Sequence, residues 1–304
     1  MIATTDTSKG HSFDRQALAL LFQHRLVTSE QLRELLGPFK DPAWANRRLV
    51  GLHSKGLADF VTQPVFGFGR PRVWFLTDVG REVAGEFKEL KGLSSPPPKL
   101  DADRALLNSG HTLDVIRAHV EFVRDARRRG DEYGPRDWVP EVYHRLSEAR
   151  RDALMPDAVM RYTAATDEGR VHLRAFIELD RCTEVSEQLT SKLTAYARFY
   201  ELTPIPLRLR GTTEAQGAPP AWQDSYPLFP RLLFILTNGS ETTMRNRIED
   251  LQLASGDNAR VVNLLRNVPA GAATLRDIKE QGPSAPVWSP LADAERPRCG
   301  WADL

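Results

Sequence analysis

A run of prolines divides this chain of 304 residues into two parts. Residues 93–99 read Leu-Ser-Ser-Pro-Pro-Pro-Lys, and consecutive prolines cannot continue a helix but favour an extended, semi-rigid conformation. The length is also typical of two domains. We therefore expect a first domain over residues 13–91, a linker over residues 92–100, and a second domain from residue 101 onwards.

The composition is that of an ordinary globular protein, with 41% hydrophobic and 27% charged residues. The net charge of +1 leaves nucleic-acid binding open, because a local basic face can coexist with an acidic remainder. Cys182 and Cys299 form no zinc-binding or disulfide pattern. Residues 1–11 are polar, and the chain has no run of eighteen apolar residues. We therefore expect a cytoplasmic protein with no membrane segment.

The first domain begins with a pattern of three helices. Apolar residues from Phe13 to Leu21 recur at helical spacing, and Thr28 with Gln31 three positions later predicts a capping box at the start of a second helix. A third helix is predicted over residues 43–54, after the Gly37-Pro38 break. Its buried candidates include Leu49, whereas its arginines point to another side.

A hairpin and a fourth helix complete the first domain. The hairpin is predicted from strands over residues 57–65 and 73–76, with a tip at residues 66–72 that contains two glycines, and the helix from Thr77 to about residue 91. This order of elements resembles the winged helix-turn-helix fold. In that fold the third helix usually enters the DNA major groove and the wing contacts the backbone or minor groove. The resemblance implies these DNA contacts: Asn46, Arg47, Arg48, Lys55, Arg70 and Arg72. The alternative is a protein-docking module in which the arginines form a solvated face.

The second domain shows a mixed pattern of strands and helices. A long helix is predicted first, then three strands, a helix, a strand, a helix and a short strand, over residues 101–129, 138–143, 154–162, 171–179, 184–201, 232–236, 241–253 and 261–265. This succession predicts an α/β (α+β) domain with a mixed sheet over residues 101–266. Residues 267–304 are rich in proline and small residues, so we expect a poorly ordered tail.

Three acids lie at the ends of neighbouring predicted strands. Asp157 follows Pro156 near the start of one strand, and Glu178 and Asp180 lie at the end of the next, where period-two alternation places them on one face. The order of elements and the Pro-Asp pair resemble the restriction-endonuclease-like superfamily, whose motif is Pro-Asp, a gap, then Asp or Glu, any residue, and Lys. This chain has Asp180 where the motif lysine would stand. The structural alternative is that short polar side chains are common in turns at strand ends.

Lys192 interrupts the apolar stripe of the following predicted helix. Some members of that superfamily carry the lysine on this helix, where it can reach the same metal-bound water. The resemblance therefore implies a catalytic set of Asp157, Glu178, Asp180 and Lys192, in which the three acids hold Mg²⁺ or Mn²⁺. The structural alternative is that Lys192 reaches out from an apolar face or pairs with Glu178 or Asp180 as a buried ion pair.

Taken together, the chain resembles the replication-relaxation family of plasmid and integrative-element proteins. The resemblance rests on the winged-helix segment and on three short segments, residues 155–158, residues 176–181 and Lys192 to Tyr196. It implies a role in plasmid replication, DNA relaxation or conjugative transfer, and double-stranded DNA as the partner.

Three functional hypotheses follow. The first is a DNA-binding protein whose nuclease-like domain has an activity that the sequence leaves open. The second is a metal-dependent DNA nickase or nuclease, and the third is a transcriptional regulator with a sensing or dimerising second domain. The sequence has no Walker loop or Rossmann glycine pattern, so we expect no nucleotide cofactor. Homodimers are common among such DNA binders, although no heptad seam argues for one here.

Overall fold

The structure is a computed structural model with two compact units. It describes residues 3–37, 41–62, 71–93, 102–147, 149, 152–183, 186–203 and 219–304. The first unit comprises Met1–Arg128 and Tyr133–Pro140, and the second comprises Arg129–Glu132 and Glu141–Leu304.

The first unit is built from helices around a small antiparallel sheet. Its elements are α1 (Ala3–His24), β1 (Val27–Thr28), α2 (Ser29–Leu36), α3 (Pro42–Ser54), β2 (Ala58–Thr62), β3 (Arg72–Leu76), α4 (Asp78–Gly85), a 3-10 turn (Lys88–Leu90), α5 (Ala102–Arg129) and β4 (Trp138–Pro140). The sheet runs in the order β1-β3-β2, with both pairings antiparallel. The predicted pairing of the two hairpin strands is therefore confirmed. The tip lies largely outside the described residues, and Arg70 with it.

Local sequence signals explain where these helices begin. The capping box predicted at α2 is confirmed, because the Thr28 hydroxyl accepts from the backbone N–H of Gln31 and the Gln31 side chain accepts from the Thr28 N–H. Asp41 caps α3 by a single bond, since its side chain accepts from the backbone N–H of Ala43. Thr77 caps α4, which ends at Gly85, before the position near residue 91 that we predicted. Such side chains satisfy backbone donors that have no partner within the helix.

A glycine allows α4 to approach the chain that leads into β2. A Cβ atom at Gly80 would lie 1.8 Å from the carbonyl oxygen of Leu57, which is backbone and cannot move aside cheaply. The N–H of Thr77 also donates to that carbonyl, at 3.2 Å. Any larger residue at position 80 would therefore push α4 away from this part of the first unit.

Helix α5 belongs with the first unit, although the sequence suggested that residue 101 begins the second domain. The Gln31 side chain donates to the carbonyl of Leu113, and Arg127 donates to the carbonyls of Glu34 and Leu35 at the end of α2. The apolar face of α5, including Ile116 at 0% exposure, is buried as well. The first unit therefore includes residues on both sides of the predicted linker.

The second unit is a mixed sheet with flanking helices. Its elements are β5 (His144–Arg145), β6 (Ala153–Leu154), β7 (Ala158–Thr166), β8 (Gly169–Asp180), α6 (Ser186–Glu201), a 3-10 turn (Ala221–Asp224), β9 (Arg231–Leu236), α7 (Glu241–Asp257), α8 (Ala259–Asn267), β10 (Ala270–Thr274), α9 (Leu275–Gln281), β11 (Ser289–Pro290) and a 3-10 turn (Trp301–Asp303). Its main sheet includes the order β11-β10-β9-β8-β7, in which β8, β9 and β10 are parallel and the outer pairs are antiparallel. The predicted α+β class with a mixed sheet is confirmed.

One predicted strand of the second unit is a helix. Residues 261–265 lie in α8, which Asn258 caps through the N–H of Arg260. The buried residues Val261, Leu264 and Leu265 stand at spacings of three and four, which is the pattern of a helical face. The predicted run of five residues is too short to distinguish a helical period from that of a strand.

Residues 267–304, which we expected to be a poorly ordered tail, carry part of the sheet instead. Strand β10 is buried along its whole length, and Trp288 and Trp301 are 0% and 1% exposed. The small residues that suggested disorder are needed here, since a Cβ atom at Gly271 would lie 2.6 Å from the side chain of Leu304. The small residues of this segment therefore reflect close packing and not disorder.

Candidate functional site

The strand register places two of the predicted acids side by side. Ala158 pairs with Ile177 in the antiparallel β7–β8 ladder, so Asp157, one residue earlier, lies at the level of Glu178. The Asp157 carboxylate accepts from the backbone N–H of Leu179 at 2.7 Å. Its backbone carbonyl accepts from the N–H of Glu141 at 3.2 Å. These bonds fix Asp157 just before β7, beside the end of β8.

Glu178 is a buried carboxylate that is held from two sides. Its side chain is 2% exposed. One oxygen accepts from Lys192 Nζ at 2.5 Å, and the other accepts from the Tyr196 hydroxyl at 2.6 Å. Lys192 and Tyr196 are four residues apart on α6, so one helical face supplies both donors. The ammonium also lies 3.9 Å from the Asp157 carboxylate.

Burial and charge shift the protonation of this group of residues. Burial raises the pKa of Glu178 to about 7, although the ammonium of Lys192 opposes the shift. For Lys192 burial acts to lower the pKa, but the attraction of Glu178 and Asp157 outweighs it and the pKa is raised. Burial and the Glu178 charge raise the pKa of Tyr196 well above 10. Lys192 and Tyr196 therefore remain hydrogen-bond donors near neutral pH.

Asp180 has a different partner. Its carboxylate accepts from Arg247 of α7 at 2.6 Å and from the backbone N–H of Cys182 at 2.9 Å. The Arg247 and Asp180 side chains are 9% and 13% exposed, so this ion pair is almost fully buried. Asp180 adds a weaker attraction to Lys192, the last of the contributions to its raised pKa.

The structure thus divides the predicted acids into a pair and a single residue. Asp157 and Glu178 share Lys192, whereas Asp180 is bound to Arg247. Within the described ranges, no three His, Cys, Asp or Glu side chains form a group that could hold a metal ion. Two carboxylates remain beside one ammonium. That number fits Mg²⁺, which commonly takes one or two protein carboxylates together with water and phosphate oxygens.

Sequence reasoning left out two residues of this site. Tyr196 was placed in the apolar stripe but given no role, although its position four residues after Lys192 is a usable signal. Arg247 was not singled out. It lies 67 residues from Asp180 in the sequence, and only the packing of α7 against the sheet brings the two side chains together.

In the first unit, the basic residues of α3 differ in what holds them. Arg47 is 66% exposed and forms a surface ion pair with Asp41 at 3.0 Å. Arg48 is 32% exposed, and its guanidinium binds both oxygens of Asp14 of α1, at 2.6 and 3.0 Å. Lys55, just after α3, lies 3.5 Å from the same carboxylate. Arg48 is therefore anchored within the unit, whereas Arg47 projects from it.

Two further predicted DNA contacts, Asn46 and Arg72, lie on the surface of the same unit. Asn46 is exposed on α3. Arg72, at the start of β3, is exposed and its guanidinium lies over the ring of Phe60 at 4.4 Å. This cation–π contact orients the guanidinium without neutralising its charge.

Comparison with known proteins identifies the family. No curated protein and no solved structure matches the chain. In the part of the chain that the structure describes, no helix has the length and apolar character needed to cross a membrane. A family model described as replication-relaxation matches residues 18–214, which is more than half of the chain. The chain therefore belongs to the replication-relaxation family, and this membership supports a role in the replication or relaxation of mobile elements.

Proposed function

We propose that this protein binds double-stranded DNA through its first unit, which acts as a winged helix. The order of elements from α1 to α4 supports the proposal, since a strand precedes α2 and an antiparallel strand pair follows α3. In such a fold α3 is the helix that enters the major groove. The family membership supports a role in the replication or relaxation of mobile elements, which suggests a nucleic acid as the partner.

The observation that carries the proposal is the outward face of α3. Asn46, Arg47 and Val50 are exposed, while Ala45 and Leu49 on the opposite side are 3% and 0% exposed. These three side chains can contact bases in the major groove. An arginine can bind guanine through two hydrogen bonds, an asparagine can bind adenine, and an apolar group can contact the thymine methyl.

The other basic residues suit contacts to the DNA backbone. Lys55 is 59% exposed after α3, and Arg72 is exposed on the hairpin. A contact with phosphate needs charge more than a fixed orientation, and it weakens with salt. We assign Lys55, Arg70 and Arg72 to such contacts. Arg48 contributes less directly, because Asp14 already neutralises and orients it.

The test is binding of a labelled random-sequence duplex of about three helical turns, followed by selection of preferred sites from the same pool. We expect Arg47→Ala and Asn46→Ala to weaken binding to the selected site about tenfold, the cost of one base contact. Arg198→Ala is the matched control, since Arg198 is 43% exposed on α6 in the second unit. If Arg47→Ala and Arg198→Ala bind DNA equally well, the assignment of α3 fails.

A second candidate function is metal-dependent DNA nicking, and the contact of Lys192 with Glu178 and Asp157 favours it. Asp157 and Glu178 would hold Mg²⁺ or Mn²⁺, which would polarise the phosphate and lower the pKa of a bound water. Lys192 would offset the negative charge that develops on the phosphate. Asp180 would stabilise this edge of the sheet through Arg247.

Supercoiled plasmid distinguishes the two candidates. The second predicts nicking with Mg²⁺ or Mn²⁺ that a chelator abolishes, and loss of nicking but not of DNA binding in Asp157→Ala. Asp152→Ala is the control, because Asp152 pairs with Arg198 at the surface of the same unit. Intact plasmid with a clear gel shift supports binding without cleavage. Protection of one operator sequence that Asp157→Ala leaves unchanged supports the third hypothesis, a transcriptional regulator.

A further inference from the structure

A pocket of about 410 Å³ opens on the first unit, and its lining comes from α1, α2, α5 and the segments around Glu89 and Arg136. Its apolar floor includes Leu20 of α1 and Leu35 of α2, which are 1% and 0% exposed. Its rim carries three guanidinium groups and one carboxylate, those of Arg15, Arg127, Arg136 and Glu89. The volume lies within the range of pockets that enclose small organic ligands.

The rim has an excess of positive charge. Arg15 and Glu89 neutralise each other through two hydrogen bonds, at 2.9 and 2.8 Å. Arg127 binds neutral backbone carbonyls, and Arg136 acts on Glu89 at longer range. The pocket lining thus carries three positive groups and a single negative one, so its potential favours an anion.

Two of the arginines are fixed before any ligand arrives. Arg127 donates to the carbonyls of Glu34 and Leu35 at 2.6 and 2.7 Å, and burial lowers its pKa. Arg15 lies over the ring of Phe87 at 4.0 Å, in addition to its bonds with Glu89. A guanidinium has five N–H donors, so both side chains keep donors that can turn to a ligand. Fixed donors reduce the entropy that binding would otherwise cost.

We infer that this pocket binds a small organic anion with an apolar body, such as an aryl carboxylate or phosphate. The charged end would meet Arg127 and Arg136 at the rim, and the apolar end would cover Leu20 and Leu35. A bare inorganic anion would leave the floor in contact with water, and a neutral apolar molecule would desolvate the guanidinium groups without a partner. This inference does not depend on DNA binding.

Naphthyl phosphate is a suitable probe, because its fluorescence anisotropy reports binding to the full chain without DNA. We expect Arg136→Gln, a change at an exposed position, to weaken binding about fivefold through loss of one charge-assisted contact. Arg128→Gln is the matched control, because it removes the same charge from a 62% exposed position on α5 that does not line the pocket. Circular dichroism of both variants checks that they fold.

Two competitors separate the contributions of charge and apolar surface. We expect inorganic phosphate and neutral naphthol each to displace the probe much more weakly than unlabelled phenyl phosphate does. The inference is overturned if Arg136→Gln and Arg128→Gln bind the probe equally. It is also overturned if inorganic phosphate competes as well as phenyl phosphate, which indicates a simple anion site, or if naphthol does, which indicates an apolar cleft.

Discussion

The candidate sites of the two units hold their charged groups in opposite settings. On α3 of the first unit, Arg47 is 66% exposed and its partner Asp41 is 54% exposed. In the second unit, Arg247 and Glu178 are 9% and 2% exposed, and each is bound by a partner of opposite charge or a hydroxyl. An exposed charged side chain can leave its ion pair and bind a ligand with little loss of stability. Buried ones hold the fold, and breaking one pair leaves the other charge without solvation.

The largest effect is expected from Arg247→Met. The change leaves the Asp180 carboxylate largely buried without its cation, so the free energy of unfolding should fall by about 3–5 kcal/mol. Urea unfolding at pH 7 measures it. Arg245→Met is the control on the same helix, because Arg245 is 67% exposed and its ion pair with Glu249 is long, at 4.0 Å. This change should lower the free energy of unfolding by less than about 1 kcal/mol. Equal losses of stability in the two variants would show that burial does not make the Arg247 ion pair more important than the exposed one.

The next effect concerns pH and Glu178. Its carboxyl group binds a proton more tightly in the folded chain, with a pKa of about 7 against an ordinary value of 4.5. Its contribution to stability is therefore fully present below pH 4.5 and is lost as the pH rises to about 7, by about 2–3 kcal/mol. Glu178→Gln should remove this slope, whereas Glu187→Gln on an exposed part of α6 should retain it. Urea unfolding between pH 4.5 and 8 measures the slopes.

The first unit should respond to pH in the opposite direction. Burial lowers the pKa of His24 to about 3 and that of His119 well below 6.5. A base with a lowered pKa binds its proton more tightly in the unfolded chain, so this contribution is lost as the pH falls from about 6.5 towards 3. Hydrogen exchange corrected for intrinsic rates, followed separately in α5 and β8, distinguishes the two slopes. If protection from exchange changes with pH in the same direction in α5 and β8, the two units do not respond oppositely to pH.

A smaller effect is expected from Tyr196→Phe. The change removes one hydrogen bond to Glu178 and leaves the aromatic packing in place, so the free energy of unfolding should fall by about 1–2 kcal/mol at pH 7. The pKa of Glu178 should also rise further, because the hydroxyl helps to stabilise its charged form. Tyr200→Phe on the same helix is the control. Carboxyl-selective isotope labelling and NMR titration measure the pKa of Glu178, and an unchanged value would contradict this role of Tyr196.

The smallest effect on stability is expected from Arg47→Ala. Its ion pair with Asp41 is exposed at both ends, so the free energy of unfolding should change by no more than about 0.5 kcal/mol. Thermal unfolding measures the change. A large loss of stability would show that Arg47 holds α3 in place, and its effect on DNA binding could then not be assigned to contact with DNA.

Sequence patterns were sufficient where the signal was local. The capping residues Thr28 and Thr77 lie within a few positions of the groups they bind, and Lys192 stood out because it interrupted an apolar stripe. Its position in that stripe places it on the face of α6 that meets Glu178 of β8. The fold class and the core of the candidate site were therefore within reach of the sequence.

The sequence was insufficient where distant segments decide the outcome. Asp180 finds Arg247 only because α7 packs beside the end of β8. Strand β10 consists of small residues that were taken for a disordered tail, yet the side chain of Leu304 requires a glycine at position 271. Both features depend on which surfaces meet after folding. A period-based prediction contains no information about such contacts.

The salt dependence of DNA binding tests the central claim most directly. The logarithm of the binding constant for one duplex should be measured against the logarithm of salt concentration, for the wild type, Arg47→Ala and Arg198→Ala. For Arg47→Ala the claim predicts weaker binding and a slope whose magnitude falls by no more than about 1, the change expected for the loss of one phosphate contact. For Arg198→Ala it predicts no change in either quantity. Identical affinities and slopes for all three proteins would contradict DNA recognition by the outward face of α3.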